Sequence, residues 1–87
     1  MEVVFTDTAQ EDLSYWKKSG NATIQKKITK LIKEISKHPF AGTGKPEPLK
    51  YELKGYWSRR INKEHRVVYQ IQEEKVIIIS LRYHYRR

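Results

Sequence analysis

The second half of this chain alternates. Four runs, Leu49–Leu53, Trp57–Ile61, His65–Gln72 and Val76–Tyr83, are separated by Lys54-Gly55-Tyr56, Asn62-Lys63-Glu64 and Glu73-Glu74-Lys75. Odd positions are Leu49, Tyr51, Leu53, Trp57, Ile61, Val67, Tyr69, Ile71, Ile77, Ile79, Leu81 and Tyr83, almost all apolar or aromatic. Even positions are Lys50, Glu52, Ser58, Arg60, Arg66, Gln70, Ser80, Arg82 and His84, polar and mostly basic. Successive side chains of a strand point to opposite faces, so this parity predicts a sheet with one apolar and one wet face. The linkers are short enough for hairpins, which predicts a four-strand meander. Arg59 and His65 break the pattern on the inner set, and Val68, Val76 and Ile78 break it on the outer. A one-sided sheet needs a cover.

The first half supplies one. Residues 2–6 suit a short strand. Asp7 or Thr8 can cap a helix, with Glu11 three residues after Thr8 in a capping-box spacing. That helix turns Leu13 and Trp16 inward and ends near Gly20. Asn21 can cap a second helix, in which Ile24, Ile28, Leu31, Ile32 and Ile35 form one apolar stripe opposite a lysine-rich face. His38-Pro39 closes it. The predicted class is α+β: a strand, two helices, then a mainly antiparallel four-strand meander, with the helices on one sheet face. Residues 1–87 form one domain with a modest core, since a chain this short buries only roughly 60% of its unfolded surface.

The chain has 87 residues and a net charge of +8, which favours a polyanionic partner. All six arginines follow the midpoint, and the first half carries only lysines. Arginine is a planar fork suited to phosphate, so the second half is the expected contact surface. There is no cysteine, which removes disulfides and thiolate metal sites, and the three histidines lack metal-ligand spacing. No Gly-x-Ser-x-Gly elbow is present. Neither cofactor nor metal is expected. The N-terminus has no leader pattern and no segment has the length of a membrane span, so a cytoplasmic location fits.

The residues with chemistry are few. Glu47 sits in Pro46-Glu47-Pro48, where Pro48 holds it extended. Arg66 opens a strand on the wet face. His84 and Tyr85 follow the apolar run Val76–Leu81, together with Arg82, another candidate phosphate ligand. Cleaving RNA without metal takes a base for the 2′-hydroxyl, a cation for the charge built on phosphorus and an acid for the leaving oxygen. Glutamate, arginine and histidine can fill these roles. Each taken alone is also an ordinary surface residue.

The segments Gly42–Lys50, Gly55–Ile61, Glu64–Tyr69 and Arg82-Tyr83-His84-Tyr85 resemble the YoeB/Txe toxins of the RelE/ParE superfamily, in the same order and over nearly the whole chain. The resemblance implies the RelE-like fold and a toxin of a type II toxin–antitoxin system. It implies an mRNA interferase that cuts mRNA on the 70S ribosome and so inhibits translation. By motif it assigns Glu47 as base, Arg66 as transition-state stabiliser, His84 as acid and Tyr85 as an orienting residue. Lys50, Arg59, Arg60 and Arg82 would contact RNA or the ribosome. The implied partners are a YefM/Phd-like antitoxin with an acidic C-terminal segment and a second copy of the chain. Arg86-Arg87 extend past the terminal tyrosine of the family pattern. A ParE-like inhibitor of DNA gyrase and a non-catalytic RNA-binding module remain as alternatives.

Overall fold

A computed structural model describes residues 1–83. The elements are β1 (Glu2–Phe5), α1 (Asp7–Ser19), α2 (Ala22–Lys37), β2 (Glu47–Pro48), β3 (Tyr56–Arg60), β4 (Arg66–Gln72) and β5 (Lys75–Ser80), with a 3₁₀ turn at Tyr51–Leu53. They form the expected α+β arrangement. The five strands lie in the order β1-β5-β4-β3-β2. All neighbours are antiparallel except β1 and β5, which run parallel with Val3 opposite Val76 and Phe5 opposite Ile78.

The helix starts differ slightly from the sequence reading. Thr6, not Asp7 or Thr8, caps α1: its hydroxyl accepts from the Ala9 amide and donates to the Ile79 carbonyl. That double use ties the helix start to β5. Gly20 ends α1 in the left-handed conformation, at φ 72°. Asn21 caps α2 as expected, accepting from the Ile24 amide. Ile24, Ile28, Leu31 and Ile35 are buried against Val67, Tyr69, Val76, Ile78 and Leu81, with Trp16 in the same cluster. Each such side chain contributes about 1.5–3 kcal/mol on burial.

Two strand readings are corrected. Leu49–Leu53 is not a strand. Glu47 pairs with Ser58 and Pro48 with Trp57, and the Leu49 amide donates to the Tyr56 carbonyl. This register makes residues 50–55 the hairpin turn, and Tyr51 in it is 91% exposed at φ 58°. In β5 the parity is inverted: Val76 and Ile78 are fully buried in the core, while Ile77 and Ile79 are only partly covered. Tyr69 pairs with Ile78 but Val68 pairs with Ser80. Ile79 is therefore an extra residue, a β-bulge. Before it the even positions face the helices, and after it the odd position Leu81 does.

Candidate active site on the sheet face opposite the helices

Pairing across β2, β3, β4 and β5 sets Glu47, Ser58, Val68 and Ser80 in one row on the face away from the helices. Arg66 shares this face and pairs with Arg60. The parity alone implied a wet face, but only Glu47 at the edge of the row is exposed. Ser58 is fully buried, and Val68, Ser80 and Arg66 are nearly so.

Arg66 is the centre of the site. Its guanidinium donates to the Ser58 hydroxyl at 3.3 Å and lies 3.9 Å from a Glu47 carboxylate oxygen. At that distance the two charges attract without sharing a hydrogen bond, and Glu47 keeps lone pairs for another donor. The Glu47 side chain is 55% exposed and lines an open cleft of about 540 Å³ with Lys50, Tyr51 and Glu52. A buried cation beside an open carboxylate is an arrangement that can hold an anion and take a proton. Ser58 was not singled out from the sequence, although its even parity was visible. Its role needs the β2–β3 register that puts it opposite Glu47.

The C-terminal end of the described chain reaches the same place. The Arg66 amide donates to the Tyr83 carbonyl at 2.9 Å, and the Tyr83 amide donates to Nδ1 of His65 at 2.8 Å. His84 and Tyr85, the expected acid and orienting residue, lie outside the described residues, as do Arg86 and Arg87.

The expected RNA-contacting residues separate. Lys50 and Arg60 are exposed, Lys50 in the cleft with Glu47 and Arg60 next to Arg66 across the ladder. Arg82 is half-buried and holds its guanidinium 3.6 Å from the centre of the Tyr15 ring. Arg59 is a correction. It is fully buried on the helix side of the sheet. Its guanidinium donates to the carbonyls of His38, Ala41 and Thr43 and to the Tyr69 hydroxyl, and pairs with Glu34 at 3.6 Å. Those contacts leave no face for phosphate. The odd parity of Arg59 in a strand was the signal. The loop after α2 wraps this one side chain, and Gly42 and Gly44 permit it. A Cβ on Gly44 would meet the Arg60 carbonyl at 3.0 Å, and one on Gly42 would meet Glu34 at 2.9 Å.

Two groups in this network titrate abnormally. The Thr43 amide hydrogen bond holds the Glu34 carboxyl below its usual value of 4.5, against the effect of burial. Burial pushes the Tyr69 phenol up, and the Arg59 hydrogen bond opposes it only in part. Tyr69 remains a donor, to the Pro39 carbonyl at 2.6 Å.

A family model described as the YoeB-like toxin of bacterial type II toxin–antitoxin systems matches residues 5–85. The chain belongs to the YoeB toxin family. It is 49% identical to Toxin YoeB of Synechocystis over 87 residues, all of both chains. A YoeB/ParE toxin structure from Agrobacterium tumefaciens superposes with a TM-score of 0.93 at 42% identity, covering 98% of this chain and all of that one. YoeB of Staphylococcus aureus has been solved in complex with YefM, with a TM-score of 0.87 at 43% identity. It has also been solved as a dimer, at 42% identity, and each of these two structures covers 98% of both chains. As a YoeB-type toxin the chain thus combines the shared fold with a Glu47–Arg66 pair on the sheet face.

Proposed function

We propose that this YoeB-type toxin is an mRNA endoribonuclease that acts on the ribosome and blocks translation. The observation that carries the reading is Arg66, a guanidinium held in the sheet face against Ser58 and Glu47, with Tyr83 on its amide. Glu47 takes the proton of the RNA 2′-hydroxyl as its oxygen attacks phosphorus. The P–O5′ bond breaks as His84 gives a proton to the leaving oxygen. The products are a 2′,3′-cyclic phosphate and a 5′-hydroxyl, so atoms and charge balance without a metal. Arg66 stabilises the extra charge on the phosphorane, and burial makes that interaction stronger than it would be in water. Lys50 and Arg60 hold the RNA or ribosomal backbone, and Tyr85 orients the substrate.

The cleft beside Glu47 is open, and among the described residues few groups converge there to orient a strand. The ribosome supplies the orientation. A YefM-like antitoxin with an acidic segment is the partner that fits the +8 charge, supported by the Staphylococcus aureus YoeB–YefM complex, and the dimer from that organism supports self-association.

The test incubates the purified toxin with mRNA-programmed ribosomes, with naked RNA and, separately, with DNA gyrase. The reading expects strong cleavage on ribosomes, weak cleavage of naked RNA and cyclic-phosphate ends. Loss of supercoiling activity without RNA cleavage would favour the gyrase alternative. A 3′-hydroxyl at the cut would remove Glu47 as base.

A further inference from the structure

Strand β5 ends at Ser80, and backbone groups beyond a strand must find new partners. Chain ends usually fray for want of them. Here they find side chains. The Leu81 amide donates to Oδ2 of Asp12 at 2.9 Å, and the Leu81 carbonyl accepts from the Trp16 indole at 2.9 Å. Asp12 and Trp16 are four residues apart on α1 and so share one face. The Tyr83 amide donates to His65 at 2.8 Å, and the Tyr83 carbonyl accepts from the Arg66 amide at 2.9 Å. Both backbone groups of residue 81 and both of residue 83 are thus taken.

The three side chains concerned are all buried: Asp12 is 2% exposed, Trp16 5% and His65 8%. Trp16 also meets His65 edge-on, with ring centres 4.8 Å apart, so the two holds are joined. Burying a carboxylate and an imidazole is costly, and apolar residues could fill the same space. What an apolar residue could not do is fix the backbone of residues 81 and 83.

We propose that Asp12, Trp16 and His65 are positioning residues, forming a clamp that sets where the C-terminal catalytic segment starts relative to Arg66. The inference rests on the RNA-cleavage reading given above. A misplacement of about 1 Å at a reacting group can cost on the order of 10²-fold in rate. The clamp therefore acts on turnover and not on ribosome binding.

The experiment uses Trp16→Phe and His65→Phe, which keep an aromatic ring and remove the indole nitrogen in the first case and both imidazole nitrogens in the second. His65→Asn keeps an acceptor near the position of Nδ1. Single-turnover cleavage on programmed ribosomes should fall roughly 10- to 100-fold in the two Phe variants. Ribosome affinity should not change, and His65→Asn should recover part of the rate. Amide hydrogen exchange of Leu81 and Tyr83 should speed up while that of Tyr69, in the core, stays slow. Wild-type rates in the Phe variants would overturn the clamp. So would equal acceleration at Tyr69, which would mean general loosening of the core. If the wild-type protein itself fails to cleave, the proposed function falls, and exchange at Leu81 and Tyr83 alone decides the clamp. Unchanged protection there would overturn it.

Discussion

Arg59 and Arg60 are adjacent, and the fold makes them opposites. Arg59 is fully buried, while Arg60 is exposed. Replacing Arg59 with alanine takes one partner from Glu34, from the Tyr69 hydroxyl and from the carbonyls of His38, Ala41 and Thr43, although Glu34 keeps the Thr43 amide and Tyr69 keeps the Pro39 carbonyl. Removing one member of a buried ionic network costs about 3–5 kcal/mol. Glu34 retains 27% exposure and the loop carbonyls can reach water, which holds the cost inside that range and not above it. A domain of this size has roughly 4–13 kcal/mol of stability in total. The substitution therefore takes a large share of it and should lower Tm by at least ~12 °C, at about 4 °C or more per kcal/mol. Arg59→Lys should recover little, because an ammonium cannot reach several diverging acceptors at once. Arg60→Ala should change stability by no more than about 0.5 kcal/mol and instead weaken ribosome binding and its salt dependence. Urea and thermal unfolding followed by circular dichroism, with ribosome binding at several salt concentrations, test both variants. An Arg59→Ala protein that unfolds like wild type but binds ribosomes poorly would refute the assignment.

Gly44→Ala should destabilise by about 1–3 kcal/mol, since φ is 86° there and the new Cβ would press on the Arg60 carbonyl; urea unfolding reads this directly. The Glu34 carboxyl is held low, so its contribution to stability is complete above the usual value of 4.5 and disappears as pH falls through the lowered folded value. Glu34→Gln should accordingly flatten the loss of Tm on acidification in that window. Glu47→Gln should slow single-turnover cleavage by about 10²–10⁴-fold and remove the acid limb of the pH–rate profile. Arg66→Ala should slow it by about 10²–10³-fold with the shape of the profile kept. A profile that loses a limb with Arg66 would mean that Arg66 takes part in proton transfer.

The amino-acid sequence determined the class of fold and the order of its elements. Ile24, Ile28, Leu31 and Ile35 fall on one side of any helix, and a sheet with alternating apolar positions offers a large surface to bury them. It also determined that Glu47 is held extended, because the restriction comes from its covalent neighbour Pro48. These are local facts, carried by residues a few positions apart. Tertiary structure decided the rest. A bulge at Ile79 inverted the faces of β5, and a one-residue insertion leaves no mark in an unbroken run of Val76, Ile77, Ile78 and Ile79. The register of β2 against β3 turned residues 50–55 into a hairpin and set Ser58 beside Arg66. Most of all, it separated the arginines. Arg59 and Arg60 carry the same guanidinium, and one strand pleat sends the first into the loop after α2 and the second to the surface. Charge type is written in each residue, but whether a charge meets a carbonyl or a phosphate depends on which elements the fold brings up against it.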